Sequence, residues 1–165
     1  MLFRSLKRLD RAKEIDQIVV ATSADSKNGP LVEHVNKLGF ACEQGSESNV
    51  LERYVHAAER HAADIVVRIT GDCPLVDAQI VDDCVQVFLK EEIDYVSNTI
   101  DPSFPDGLDV EVVRLSALQE ALAQTDNNFD LEHVTPFVRE SGKFRTKSIS
   151  NAEDLSGLRW TVDEQ

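Results

Sequence analysis

Residues 64–77 read DIVVRITGDCPLVD. A run of apolar, mostly β-branched residues is stopped by Gly71, Asp72 and Pro74, the composition of a buried strand running out into a loop. The periodic stretch QIVDDCVQVFLKEE (79–92) follows, so the segment reads strand, loop, helix. Upstream the same order recurs. QIVVATS (17–23) is a short β-branched strand, and Asn28, Gly29 and Pro30 punctuate it. Pro30 suits the first turn of a helix that ends near Gly39. Residues 40–43 form a further short strand, GSESN (45–49) a polar loop, and Val50, Leu51, Tyr54, Val55 and Ala58 recur at helical spacing. Strands alternating with helices favour right-handed crossovers, hence an α/β fold with a mostly parallel sheet flanked by helices.

On either side of this block the pattern continues. Leu2, Phe3, Leu6, Leu9 and Ala12 mark an opening amphipathic helix. IDYVSN (93–98) is a strand, TIDPSFPDG (99–107) a loop, and LDVEVVRL (108–115) a strand in which Leu108, Val110 and Val112 alternate with Asp109 and Glu111, as expected when one face is wet. Ser116 and Gln119 have the spacing of a capping box. A helix is expected through EHVTPFVRE (132–140), with Asp130 as candidate cap and Pro136 limiting its start. FRTKSI (144–149) and LRWTV (158–162) read as strands separated by a helical turn at AEDLSG (152–157).

The 165 residues suit a single domain, 1–165, with 42% hydrophobic and 28% charged residues. No apolar run approaches the roughly 20 residues of a membrane span, and the basic opening lacks the apolar core and cleavage site of a secretory signal, so a cytoplasmic, membrane-free protein is expected. Cys42, Cys73 and Cys84 form no CxxC pair, which argues against a disulfide framework or a cysteine zinc site. A net charge of −13 repels a phosphate backbone, so nucleic acid is not an expected partner. An anionic small molecule remains compatible if a divalent cation stands between it and the acids.

In open α/β sheets, ligands bind beyond the carboxyl ends of strands. Asp72 lies just past the strand at 64–70 and Asp163 just past LRWTV. Hard cations such as magnesium combine a few carboxylate oxygens with phosphate oxygens, an arrangement suited to nucleotidyl transfer. Asp77, ahead of Ile80 and Val81, reads as the cap of the next helix, leaving Asp72 for the cation. Asp109 and Glu111 are equally a wet strand face, His133 a helix-surface histidine, and Trp160 core or rim packing or the wall of a pocket.

VVRITGDCPLVD, DYVSNT, FPDGLDVEVV, EHVTPFV and LRWTVDE, in this order, resemble the cytidylyltransferases that make CMP-activated sugars. The spore-coat polysaccharide branch is nearest, with acylneuraminate and Kdo cytidylyltransferases more distant. The resemblance runs from about Ile15 to the end. It implies a nucleotide-diphospho-sugar transferase-like Rossmann variant that joins a sugar hydroxyl to the α-phosphate of CTP and releases pyrophosphate. It further implies Mg2+ on Asp72 and Asp163, and a sugar side formed by Asn98, Asp106, Asp109 and Glu111, with Glu132 and His133 near it. Family members open with a strand and a basic, glycine-containing loop, of the form ARxxSxRLPGK, that cradles the triphosphate. This sequence starts at what resembles the following helix and stops where the family continues beyond TVDE. The expectation is therefore a cytidylyltransferase domain incomplete at both ends, lacking the first strand and loop on which its activity as a lone chain would depend. The alternative is a catalytically silent sugar- or metal-binding or assembly module that retains the fold. An open sheet position further predicts a homo-oligomer, most simply a dimer, or a strand and loop supplied by another chain.

Overall fold

The computed structural model describes residues 2–162. In chain order these form α1 (Leu2–Leu9), β1 (Val19–Ser23), a 3-10 turn (Ser26–Asn28), α2 (Gly29–Lys37), β2 (Ala41–Gly45), α3 (Val50–Arg60), β3 (Ile65–Arg68), α4 (Ala78–Lys90), β4 (Tyr95–Ser97), β5 (Glu111–Arg114), α5 (Leu115–Gln124), α6 (Asn128–His133), α7 (Pro136–Glu140) and β6 (Thr146–Ser148). The class is α/β, as expected. Two compact units divide the chain: Met1–Asp16, Val67–Val113 and Arg145–Gln165 make one, Gln17–Val66 and Arg114–Phe144 the other.

In the unit that contains Gln17–Val66, β1 and β2 pair in parallel, from Val19 opposite Ala41 to Ser23 opposite Gly45. Helix α3 covers both strands and packs on α5 and α6. Its apolar stripe, Leu51, Val55 and Ala58, is buried, and Asn49 caps it by accepting from the Glu52 N–H at 2.9 Å. Past α2 the backbone turns at Gly39 with φ 84°, a conformation that favours glycine.

The other unit is built on a sheet ordered β3-β5-β4-β6, with β4 antiparallel to β5 and parallel to β6. Helix α4 packs on β4, and α1 on α4. Val81, Cys84, Val85 and Phe88 of α4 and Tyr95, Val96, Val110, Val112 and Val113 form the core. Buried Asp82 accepts from the Lys13 and Glu14 N–H groups at 2.8 and 3.0 Å, which fixes the segment after α1 to α4. Asp77 caps α4 through the Gln79 N–H at 2.8 Å, as its sequence position predicts.

Several expectations are corrected. Ser116 opens no capping box: β5 runs straight into α5, and the Leu115 N–H finds the Asp64 carbonyl instead, at 2.9 Å. Asn127 caps α6, while Asp130 accepts from the Thr125 hydroxyl at 2.7 Å. The segment EHVTPFVRE is split between two helices, because Val134 breaks the chain direction and Pro136 has no N–H with which to continue the helix. Neither face of β5 is wet: Glu111, Val112 and Val113 are all buried, the acid being tolerated because Arg68 pairs with it. LRWTV forms one isolated parallel bridge, Asp106 to Arg159, rather than a strand, and AEDLSG forms turns and bends rather than helix. The three cysteines are free, and burial pushes the thiols of Cys73 and Cys84 up to about 11 and about 12. Among the described residues no helix is long and apolar enough to cross a membrane.

Candidate functional site

Where β3 ends, the chain turns through Thr70, Gly71 and Asp72 before α4 begins. Cys73 anchors this loop from below: it is buried, its sulfur lies 3.2 Å from the Thr70 hydroxyl and 3.7 Å from the Asp72 carboxylate, and the Asp109 backbone also bonds to it. The loop is thereby held against the approach to β5. Asp72 itself is half-exposed at its edge.

The approach to β5 is held just as firmly by Asn98, at the end of β4. Its buried amide donates to the Leu108 carbonyl at 2.8 Å and accepts from the Val110 N–H at 2.9 Å. These two bonds grip the backbone on either side of Asp109. One residue beyond Val110, the buried Glu111 carboxylate pairs with the Arg68 guanidinium and accepts from the Tyr95 hydroxyl at 2.6 Å. Both ends of each of these polar groups are thus engaged by the protein.

A third segment, residues 158–162, lies across the other two. The Trp160 N–H donates to the Asp106 carbonyl at 2.7 Å, the Asp106 N–H to the Leu158 carbonyl at 2.9 Å, and the Val162 N–H to the Asp72 carbonyl at 2.9 Å. Arg159 also reaches the Asp106 carboxylate at 3.3 Å. The strap fits because Gly107 has no side chain: a Cβ there would lie 2.8 Å from the Thr161 nitrogen and the Trp160 carbonyl carbon, and its φ of 102° favours glycine in any case.

The result brings the segments that carry Asp72, Asp106 and Asp109 next to one another. Asp109 shows it electrostatically: burial, and then the charges of Asp106, Glu111 and Asp72, hold its carboxyl above the ordinary value against the lowering effect of a hydrogen bond from the Gly107 backbone. Carboxylates so arranged offer hard oxygen donors to a cation and acceptors to hydroxyl groups.

Of the residues expected from the sequence, Asp72, Asp106 and Asp109 are brought together, with Asn98 and Glu111 behind them as the groups that fix the backbone. Glu132 and His133 are exposed at the end of α6, in the other unit. Asp163 lies outside the described residues. Arg68, Tyr95, Cys73 and Gly107 also shape this region, and the lone arginine within the apolar run of β3 is the one sequence signal among them, that of a buried acid partner.

A sequence profile described as cytidylyltransferase matches residues 1–161. Among curated relatives, an uncharacterised protein, MJ1063 of Methanocaldococcus jannaschii, is 36% identical over 161 residues, covering 96% of this chain and 65% of the relative. The spore coat polysaccharide biosynthesis protein SpsF of Bacillus subtilis is 34% identical over 128 residues, covering 77% of this chain and 52% of SpsF. The chain thus spans between about half and two thirds of the length of these relatives. A solved cytidylyltransferase from Leptospira borgpetersenii superposes with a TM-score of 0.94 at 32% identity, over 99% of this chain and 70% of that one. At 13% identity, CMP:2-keto-3-deoxy-manno-octonic acid synthetase in complex with CTP shares the fold, with a TM-score of 0.67 over 91% of this chain and 79% of that one. Profile, relatives and superposition agree with the motifs, and the chain belongs to the cytidylyltransferase family.

Proposed function

We propose that the acid cluster belongs to a site that transfers CMP from CTP to a hydroxyl of an acidic or related sugar. The sugar oxygen forms a bond to the α-phosphorus, the bond to the bridging oxygen breaks, and pyrophosphate departs while the hydroxyl proton is lost. The observation that carries this reading is the convergence of Asp72, Asp106 and Asp109 on backbone held by Asn98, Cys73 and the 158–162 strap.

The donor chemistry fits magnesium. Among the described residues no group of three or more acids, histidines or cysteines could hold an ion by itself. Magnesium typically uses only one or two carboxylates and completes its shell with water and phosphate oxygens. Asp72 is the described candidate to hold it, together with Asp163 as the resemblance implies. When bound it would offset negative charge on the phosphates. Asp109, with its elevated carboxyl, would accept a hydrogen bond from the sugar hydroxyl and take its proton. Asn98 and Glu111 act by fixing Asp109, and Asp106 offers a further acceptor.

A second reading, a catalytically silent binding or assembly module, is favoured by Asn98 and Glu111 themselves, whose polar atoms serve the protein backbone and its ion pair. The partner proposed under either reading is a second copy of the chain. β1 has one strand neighbour, β2, among the described residues, which leaves its other edge able to pair. A monomer in sedimentation would remove that proposal. Free Cys42, Cys73 and Cys84 suit a reducing, cytoplasmic setting.

The deciding experiment is pyrophosphate release with CTP, Mg2+ and a panel of acidic sugars, run on the wild type and on Asp72→Asn. Turnover that falls at least about 100-fold in the variant supports the transferase. Sugar binding without turnover in either protein supports the silent module.

A further inference from the structure

Helix α3 carries Arg53, His56 and Arg60 three and four residues apart, which puts them on one stripe of the helix. All three line a cavity of about 290 Å³ between α3 and the end of β2, where Glu43 and Gly45 form the strand side. Glycine suits its place there. A Cβ at Gly45 would lie 3.1 Å from the Arg53 Cγ, so the missing side chain leaves room for the arginine stem against the strand.

Two acids line the same cavity, and both are engaged by the protein. Glu43 meets Arg60 through one carboxylate oxygen at 3.0 Å and His61 through the other at 3.1 Å, and Glu59 accepts from the Gln119 amide at 2.7 Å. Arg53 is only partly engaged. Its Nη1 donates to the Ser46 carbonyl at 2.6 Å, whereas its Nε–H is buried and meets no acceptor among the described residues. Leaving a charged donor buried and unpaired is unfavourable, and a native fold keeps one chiefly where a bound water, ion or ligand completes it.

The donor set decides the class of that partner. With Nη1 given to Ser46, Nε and Nη2 remain as the forked edge that fits two oxygens of one oxyanion. His56 and Arg60 add donors from the same stripe. A carboxylate brings one charge and two oxygens, which the Arg53 fork alone would satisfy. A phosphate group brings up to two charges and at least three oxygens, enough for the whole stripe. A cavity of about 290 Å³ also leaves space beside the phosphorus for a small organic group. We propose that this cavity binds the phosphate group of a small molecule, with Arg53 as its principal contact and His56 and Arg60 beside it. These residues all belong to the unit that contains Gln17–Val66, and none has a part in the transfer reaction proposed above, so the two readings fail separately.

Titration of the full chain with inorganic phosphate at constant ionic strength, followed by the NMR shift of the Arg53 Nε–H, should saturate with a dissociation constant on the order of 1 mM. Arg53→Lys keeps the charge and loses the fork, so the constant, read from the backbone amides of α3, should rise at least about tenfold. His56 is exposed, and His56→Ala should raise it about threefold; that variant decides the matter if Arg53→Lys does not fold. Glucose 6-phosphate separates the sources of the group: tighter binding than inorganic phosphate identifies a phosphate ester as the occupant, and equal or weaker binding identifies the ion itself. No saturation by about 50 mM phosphate, acetate binding as tight as phosphate binding, or constants that neither substitution alters would each overturn the site.

Discussion

Asp109 is a carboxyl surrounded by carboxyls, and its ionisation should be visible in stability. Burial and the charges of Asp106, Glu111 and Asp72 raise its pKa in the folded chain. A group that binds its proton more tightly when folded makes stability fall as pH rises through the interval between its unfolded and folded values. At neutral pH the ionised side chain is therefore a burden on the fold. Asp109→Asn should raise the thermal midpoint at pH 7, and the gain should shrink as pH falls through the carboxylate range, where wild-type Asp109 becomes neutral too. Thermal unfolding of both proteins at pH 7 and pH 4 checks this, and an equal difference at the two pH values would refute the electrostatic account. A group kept at such a cost to the fold is what a site for a cation or a hydroxyl proton requires.

Between elements, the strap at 158–162 is held by backbone hydrogen bonds to Asp72 and Asp106 and by its close fit over Gly107. Gly107→Ala places a Cβ into the 160–161 backbone at a φ that alanine adopts poorly, so the strap should lift while the sheet remains. Trp160, the single tryptophan, is 41% exposed, and its emission should shift to the red with a loss of about 1–3 kcal/mol in stability. Unchanged emission would mean that the strap does not depend on the glycine. The strap also shows which elements were legible in the sequence. Strands and helices with a clear period, such as β3, α3 and α4, appeared where the pattern put them, and Asp77 capped as its position required. LRWTV has the composition of a strand, but no sequence pattern states whether a neighbouring strand is available to pair, and it forms a single bridge. Glu111 misled in the opposite direction: alternation with Val110 and Val112 predicted a wet face, whereas its partner Arg68 lies 43 residues earlier in the chain. The acids of the site were visible one by one. Their convergence, and the parts played by Asn98 and Cys73 in holding it, depended on contacts between segments distant in sequence.

At the scale of the whole molecule, thirty acids oppose seventeen bases, and the net charge of −13 acts against compaction. Many exposed pairs, such as Lys37 with Glu33 and Arg145 with Glu92, are of the kind that contributes little individually. Salt screens both the repulsion and these pairs, and with such an excess of one sign the repulsion dominates. Raising NaCl from about 10 mM to about 150 mM should therefore raise the thermal midpoint by roughly 2–4 °C, about the response to 1 kcal/mol in a chain of this size. A midpoint that falls with salt would show that the ion pairs outweigh the net charge.

Residues 107 to 111 meet different neighbours at almost every position: Gly107 the strap, the Leu108 carbonyl and Val110 N–H the amide of Asn98, Asp109 the other acids, and Glu111 the pair of Arg68 and Tyr95. Because side chains alternate along extended backbone, gaining or losing one residue here would turn each of those encounters inside out. The stretch therefore tolerates no change in its count, and an inserted residue would have to be accommodated elsewhere, as in the exposed turn at Asp101 and Pro102.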